Sequence, residues 1–207
     1  MSAYARPISP SGGATLADAL VPGVRADGAR ALMRVLVLVG AGALLTALAA
    51  QLSVKLPWSP VPYTGQTAAV LLVGTVLGWR MGAASIGLYV LAGVAGAPIF
   101  SAGAHGVGQL LGYTGGYLLG FILAATVVGL LAQRGWDRSA PRAAGLMVAG
   151  NLLIYLVGVP ILSAVTGMGL SAAIWNGALV FLPRDAVKVA VAAGLLPLAW
   201  RTIGRRS

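Results

Sequence analysis

Apolar segments long enough to cross a membrane alternate with short polar loops along most of the chain. Residues 35–54 carry no charge, which is enough for one helical crossing of a bilayer core about 30 Å thick. Residues 81–133 also contain no Asp, Glu, Lys or Arg. That stretch predicts two crossings, separated by the Gly-, Ser- and His-containing segment 97–108. A further crossing is predicted at 143–164, and the last begins at Pro183 and ends near Arg201.

The remaining crossing follows a proline-rich stretch. Pro57, Pro60 and Pro62 cannot occupy the interior of a helix, because proline lacks the backbone N–H and clashes with the preceding turn. The helix is therefore predicted to begin near residues 63–66, after a structured loop, and to end at Arg80. The pattern predicts an all-α membrane protein with six transmembrane helices.

Basic residues give the orientation of the bundle. With the N-terminus inside the cell, eleven arginines fall on the cytoplasmic side, and Lys55 is the only basic residue in the outer loops: Arg6, Arg25, Arg30, Arg34, Arg80, Arg134, Arg138, Arg142, Arg201, Arg205 and Arg206. Cytoplasmic loops are enriched in Lys and Arg, so both termini are predicted to be cytoplasmic. Residues 1–30, rich in Ala, Pro, Gly and Ser, predict a flexible tail with room for a short surface helix. Residues 31–207 form the transmembrane domain.

Composition excludes several classes of protein. Of the 207 residues, 58% are hydrophobic and only 9% are charged, whereas roughly a quarter are charged in soluble domains. The mean hydropathy is +0.90. A protein of the cell membrane is expected, not a cytosolic enzyme, and the net charge of +10 reflects topology and not nucleic-acid binding. With no Cys, one His and four acidic residues, we expect neither a metal or other cofactor nor catalysis.

Small residues recur at four-residue spacing in two places. The first series is Gly74, Gly78 and Gly82, and the second is Gly108, Gly112, Gly116 and Gly120. This spacing allows helix backbones to approach closely in a membrane. Packing within one bundle is favoured over a dimer interface.

Two charged residues of the last crossing are the strongest candidates for a ligand site. Asp185 and Lys188 are three residues apart and share one helix face. Lys188 lies about 20 Å along the helix from Arg201, in the outer third of the membrane. A self-neutralising pair with a snorkelling lysine is the structural alternative. In a ligand site, Asp185 would accept hydrogen bonds and Lys188 would donate them.

Other polar groups inside the crossings are few. Gln66 and Thr67 open the second crossing, and Asn151 and Tyr155 share one face of the fifth. For Asn151, a hydrogen bond to a neighbouring helix is an equal alternative to ligand contact. For Tyr155, the alternative is an ordinary buried aromatic residue whose hydroxyl is bonded locally. Trp58 is expected first to anchor the membrane interface and second to form a pocket wall.

Four blocks, in order, resemble the BioY family, the biotin-binding S components of energy-coupling factor (ECF) transporters. The first is Leu-Pro-Trp-Ser-Pro-Val-Pro-Tyr-Thr-Gly-Gln-Thr at 56–67. The others are Thr-Gly-Gly-Tyr-Leu-Leu-Gly at 114–120, Gly-Asn-Leu-Leu-Ile-Tyr at 150–155 and Leu-Pro-Arg-Asp-Ala-Val-Lys at 182–188. The similarity covers roughly 31–200. The family usually has Gly in place of Arg184 and Pro in place of Tyr113.

The resemblance implies a six-helix S-component fold that captures biotin near its outer face for uptake. It also implies partners, namely a transmembrane coupling protein and two ATPases, a module that is absent or shared for some members. Small residues of the first helix meet the coupling protein in the family, which makes Ala43 and Ala47 candidates, with ordinary packing as an equal alternative. Asp185, Lys188, Gln66, Thr67, Asn151, Tyr155 and Trp58 are the candidate biotin-binding residues.

Three other functions are compatible with the composition. One is an S component for a different vitamin. Another is a membrane enzyme acting on a lipid or prenyl substrate, which would need an acidic, metal-binding or nucleophilic cluster that the sequence lacks. The third is a purely structural membrane subunit, for which Asp185 and Lys188 could both be replaced by apolar residues without loss of function.

Overall fold

A computed structural model describes residues 13–20 and 28–204, and this part of the chain is mostly helical. Its helices are α1 (Leu16–Leu20), α2 (Ala29–Gln51), α3 (Gln66–Val94), α4 (Val107–Leu111), α5 (Gly115–Gln133), α6 (Ala140–Thr166), α7 (Leu170–Gly177) and α8 (Leu182–Gly204). Two strands, β1 (Ser53–Leu56) and β2 (Ser59–Thr64), lie between α2 and α3. Short 3-10 turns occur at Ser101–Gly103, Trp136–Arg138 and Leu179–Phe181.

Four helices within the described ranges are long and apolar enough to cross a membrane. They are α2, α3, α5 and α6, with mean hydropathies of 2.1, 1.5, 2.0 and 2.0 in their most apolar windows. The chain is therefore a multi-pass membrane protein. The predicted start of the second crossing is confirmed, since α3 begins at Gln66. Helix α8 spans the segment predicted as the last crossing. It carries Arg184, Asp185 and Lys188 in its first two turns and Arg201 in its last turn.

Helix α3 contains a sharp reversal at Gly78. This residue has φ 78° and ψ 174°, a conformation that side chains with a Cβ disfavour. A Cβ added to Gly82 would lie 2.8 Å from the Cα of Gly74, whereas eight residues of straight helix span about 12 Å. The halves 66–77 and 79–94 therefore lie side by side. The sequence predicted two helices meeting at Arg80, and the structure places the reversal two residues earlier.

The proline-rich segment folds as an antiparallel hairpin. Ser53 pairs with Thr64, Val54 with Tyr63 and Leu56 with Ser59, with an irregularity between Val54 and Leu56. Prolines are tolerated here because both strands of a two-stranded sheet are edge strands. On the outer side of an edge strand, the missing N–H of proline removes no hydrogen bond between strands. The hairpin is the structured loop that the sequence predicted.

Helices α3, α5 and α6 pack at very short distances. A Cβ on Gly74 would lie 2.6 Å from the Ala125 carbonyl oxygen, and one on Gly120 would lie 3.1 Å from the Ile154 Cα. On α6, a Cβ added to Gly150 would collide with Leu71 Cδ2. Of the two predicted glycine series, Gly74, Gly82, Gly116 and Gly120 thus serve packing inside this bundle, whereas a Cβ on Gly108 would meet no atom of the described residues within 4 Å.

The first described segment packs against the bundle. Leu16 and Ala17 are each 3% exposed, and Asp18 forms an ion pair with Arg34 at 3.1 Å. Residues 16–20 of the predicted tail thus form a short helix, α1, two of whose apolar side chains are removed from solvent. Residues 1–12 and 21–27 of that tail lie outside the described residues.

Candidate functional site

A cavity of about 450 Å³ opens beneath the hairpin, between α3, α5, α6 and the start of α8. Aromatic and polar side chains share its wall, among them Lys55, Thr64, Gln66, Thr67, Tyr117, Phe121, Tyr155, Phe181 and Arg184. A volume of this size and a mixed lining are typical of pockets for small organic molecules. Three of the predicted ligand residues, Gln66, Thr67 and Tyr155, contribute directly to this wall.

Asp185 is the centre of a buried polar cluster beside the cavity. Its residue is only 4% exposed, and its Oδ1 accepts a hydrogen bond from Lys188 Nζ at 3.0 Å. Its Oδ2 accepts a hydrogen bond from the Tyr155 hydroxyl. Lys188 also donates to Thr67 Oγ1. The structure therefore brings together four predicted residues from α3, α6 and α8, and it balances the carboxylate with an ammonium group.

Gln66 is held in one orientation at the start of α3. Its Nε2 donates to the Tyr89 hydroxyl at 2.5 Å, and its Oε1 accepts a hydrogen bond from Thr64 Oγ1 at 3.0 Å. Gln66 is 6% exposed. These bonds hold the Gln66 amide between the hydroxyl groups of Thr64 and Tyr89.

Asn151 and Trp58 do not line the cavity. Asn151 Nδ2 donates to the Met147 carbonyl at 3.1 Å, within its own helix, and within the described part of the chain its buried Oδ1 has no partner. Trp58 occupies the turn of the hairpin and is 62% exposed. A role for either residue in ligand binding stays a prediction, and the position of Trp58 suits membrane-interface anchoring.

Arg184 is a cavity residue that the sequence did not single out as a ligand contact. Its guanidinium carbon lies 4.6 Å from the Tyr63 ring centre and 5.2 Å from that of Phe181. Its Nη1 donates to the Thr64 carbonyl at 3.0 Å. The position of a third charge beside Asp185 and Lys188 was the available signal, but only the folded hairpin shows that Arg184 reaches β2.

Tyr117 and Phe181 are further wall residues that sequence reasoning missed. The Tyr117 hydroxyl donates to the Gly177 carbonyl at 2.9 Å, which ties α5 to α7. Phe181 packs against Tyr63 with ring centres 4.7 Å apart. Aromatic residues in a membrane segment are ordinary core residues, so nothing in the pattern distinguished these two from the rest.

Ala43 and Ala47 lie on a second, separate surface. They line an apolar groove of about 300 Å³ with Leu44, Leu88, Tyr89, Ala92 and Ile99, between α2 and the second half of α3. Both alanines are partly buried against the core. Their predicted contact with a coupling protein stays a prediction.

The chemistry of the main site is that of binding. Within residues 13–20 and 28–204, no group of three or more His, Cys, Asp or Glu side chains could hold a metal ion. The site offers aromatic surfaces, one buried carboxylate with its ammonium partner, and several fixed amide and hydroxyl groups. Such a set of groups suits a small molecule whose polar part accepts and donates hydrogen bonds and whose apolar part contacts the aromatic surfaces.

Residues 21–205 match the BioY family. The chain is similar to the biotin transporter BioY of Rhizobium etli, with 33% identity over 158 residues, covering 73% of this chain and 84% of that protein. It is similar to the biotin transporter BioY of Thermotoga maritima, with 39% identity over 147 residues, covering 71% of this chain and 75% of that protein.

A solved structure has the same fold. It is the crystal structure of the S-component for biotin from an ECF-type ABC transporter, which aligns with a TM-score of 0.73. The alignment covers 85% of this chain and 95% of that one, at 20% sequence identity. Such a likeness supports the helical arrangement described above.

Proposed function

Because the chain belongs to the BioY family, we propose that it is a membrane subunit that captures biotin for uptake. The observation that carries this proposal is the buried cluster of Asp185, Lys188, Tyr155 and Thr67 beside the cavity. Both named relatives are biotin transporters, so a membrane enzyme or a purely structural subunit has no support among them.

The chemistry of biotin suits this cavity. Biotin has a ureido ring with N–H donors and a carbonyl, a thioether ring, and an apolar chain that ends in a carboxylate. Gln66, Thr67 and Tyr155 line the cavity and supply amide and hydroxyl groups for the ureido ring. Phe121, Tyr117 and Phe181 supply apolar surface for the thioether ring and the chain. The cavity volume lies within the range of about 300–1,000 Å³ that is usual for small-molecule sites.

The cluster around Asp185 has two roles in this proposal. It holds Tyr155 and Thr67 in fixed positions, since each is bonded to a member of the Asp185–Lys188 pair. It also supplies a carboxylate and an ammonium group within reach of the cavity wall. Buried charges inside a membrane are costly and usually mark a functional site.

Six crossings with both termini in the cytoplasm of the cell form part of the proposal. The two halves of α3, which meet at the reversal at Gly78, supply two of these crossings. Helix α8 supplies the last one. The distribution of eleven arginines against Lys55 supports the orientation. The biotin-binding domain then spans 31–207.

Coupling to ATP hydrolysis would come from partners. We place the contact with the transmembrane coupling protein of an ECF module, which carries two ATPases, at the groove of Ala43 and Ala47. Small side chains at four-residue spacing let another helix approach closely. The bilayer is the other partner, and neither nucleic acid nor a cofactor has a part in this function.

Calorimetric titration of biotin into the purified full-length chain in detergent tests the proposal. We expect tight binding of one biotin per chain and no heat from thiamine or riboflavin. Binding of thiamine or riboflavin in place of biotin would identify an S component for another vitamin and overturn the assignment. No binding of any of the three by a chain that unfolds cooperatively on heating would overturn capture by the single subunit.

A further inference from the structure

The charged side chains on the cavity wall are both cationic. Lys55 at the end of the hairpin and Arg184 at the start of α8 line the cavity, and no acidic side chain of residues 13–20 or 28–204 does. Asp185 lies behind the wall at 4% exposure. A cavity whose charged wall residues are both positive favours a ligand with a negative group.

Asp185 is not the main partner of the Arg184 charge. Both oxygens of Asp185 already accept hydrogen bonds, from Tyr155 and Lys188. Arg184 Nη2 lies 3.7 Å from Asp185 Oδ1, which is too long for a hydrogen bond. Lys188 is therefore the main counter-ion of the buried carboxylate, and the guanidinium has charge left for another partner.

Several N–H groups of Arg184 also make no hydrogen bond to the described part of the chain. A guanidinium has five N–H donors, and over the described ranges the Arg184 group makes one hydrogen bond, to the Thr64 carbonyl. Its Nε is buried and has no partner there. The rings of Tyr63 and Phe181 hold the guanidinium plane in place. A preorganised fork of this kind binds a carboxylate with two parallel hydrogen bonds.

We infer that Arg184 binds the carboxylate of the ligand and so selects a carboxylate-bearing molecule over its neutral analogue. This inference rests on the proposed function and adds the orientation of the ligand. The carboxylate lies toward the hairpin, between Arg184 and Lys55. Lys55 is an exposed residue, and it contributes less than Arg184 because water screens its charge.

A different role for Arg184 would be purely mechanical. The bond to Thr64 and the contact with Tyr63 join α8 to β2. If these contacts only hold the hairpin in place, loss of Arg184 would weaken every ligand by the same factor. A carboxylate-binding role instead affects only ligands with a free carboxylate. The comparison of a charged ligand with its neutral ester separates the two roles.

The experiment measures binding of biotin and of biotin methyl ester to the full-length chain and to Arg184→Gln, Arg184→Lys and Arg80→Gln. Arg80 is a matched control, because its guanidinium stacks on Trp79 and does not line the cavity. For the wild type, we expect biotin to bind more tightly than its ester. Arg184→Gln should weaken biotin by about tenfold to hundredfold and leave the affinity for the ester within about threefold.

The other variants complete the test. Arg184→Lys should recover part of the biotin affinity, because it restores the charge without the fork, and Arg80→Gln should behave like the wild type. Unchanged ester binding also shows that Arg184→Gln is folded. An equal loss for biotin and ester, or no loss for biotin, would overturn the carboxylate assignment while leaving biotin capture intact. A wild-type chain that binds neither compound would overturn the proposed function itself.

Discussion

The Tyr155 hydroxyl on α6 donates a hydrogen bond to Asp185 Oδ2 on α8, across 30 residues of sequence. This bond joins the two helices at the cavity wall. It also fixes the tyrosine ring where it contributes to the lining. The sequence suggests that the Asp185 carboxylate contacts the ligand directly. In the folded protein, the same carboxylate positions its neighbours Tyr155 and Lys188.

Removing either member of the Asp185–Lys188 pair should weaken biotin binding strongly. Asp185→Asn or Lys188→Ala leaves the opposite charge buried without its partner. Loss of one partner of a buried charged contact costs about 2–5 kcal/mol, which is about thirtyfold to several thousandfold in affinity. Calorimetry on the purified variants measures the change. Wild-type affinity in both folded variants would refute the placement of the site.

The hydroxyl of Thr67 should contribute through Lys188. Thr67→Val keeps the shape of the side chain and removes the acceptor for the Lys188 ammonium group. We expect a loss of about tenfold to hundredfold in biotin affinity, the size of one hydrogen bond to a charged group. Thr126→Val is the matched control, since the Thr126 hydroxyl bonds the Ile122 carbonyl of its own helix. A similar loss in both variants would mean that a general effect of threonine replacement had been measured.

Gly78→Ala should destabilise the protein by at least about 1–2 kcal/mol, the cost of a left-handed conformation for a residue with a Cβ. The new methyl group would also lie 2.8 Å from Gln133 Nε2 and from Thr15 Cγ2. A lowered thermal unfolding midpoint in detergent would report this change. Gly87→Ala is the control in the same helix, because no atom lies within 4 Å of its added Cβ. It should be neutral or slightly stabilising, and an equal loss in both variants would contradict the special role of Gly78.

Asp137 should make the protein less stable as the pH rises. Burial raises the pKa of Asp137 above its ordinary value, although Trp200, which donates its indole N–H at 2.6 Å, and the charge of Arg138 act in the opposite direction. The stabilising contribution of the protonated form is complete below the unfolded-state pKa and is lost as the pH rises through the higher folded-state pKa. Asp137→Asn should abolish this component.

The measurement is the thermal midpoint of both proteins between pH 4 and pH 8. The midpoint of Asp137→Asn minus that of the wild type should increase by a few degrees as the pH rises through this range. Asp137→Asn keeps an acceptor for the Trp200 indole, so the hydrogen bond itself is retained. A difference that stays constant with pH would contradict the raised pKa.

The Asp18–Arg34 pair should have the opposite effect to Asp137 and make the protein more stable as the pH rises. Burial alone would raise the pKa of Asp18, but hydrogen bonds from Thr15 and Arg34 hold that pKa below its ordinary value. The stabilisation is therefore present above the unfolded-state pKa and is lost as the pH falls through the lower folded-state pKa. Asp18→Asn should lower stability at pH 7 by up to about 1 kcal/mol and should cost less at pH 4. An equal cost at both pH values would argue against the ion pair.

Several features of the fold could be predicted because they depend on local rules. Charge-free segments of sufficient length predict membrane helices wherever they occur, and Pro57, Pro60 and Pro62 exclude helix wherever they occur. The start of α3 at Gln66 followed from these two rules. The shared face of Asp185 and Lys188 followed from helical spacing, and the structure shows them paired at 3.0 Å.

Other features depend on segments that are distant in sequence. The pairing of β1 with β2 is not visible in the proline pattern, since strand register is decided by contacts across the hairpin. The packing of α1 depends on a surface formed by other helices. The place of Trp58 at the exposed turn of that hairpin likewise follows from this pairing.

The amino-acid sequence by itself determined that this protein spans a membrane, that one of its helices begins at Gln66 after a proline-rich loop, and which charged pair shares a face of the last helix. These properties follow from hydropathy and helical periodicity, which act within about twenty residues. The tertiary structure alone decided that Tyr155 meets Asp185, that Lys188 meets Thr67 and that Arg184 reaches the cavity beneath β2. Those contacts join different helices, and the packing that brings them together depends on close approaches such as that of Gly74 to Ala125, which no local pattern specifies.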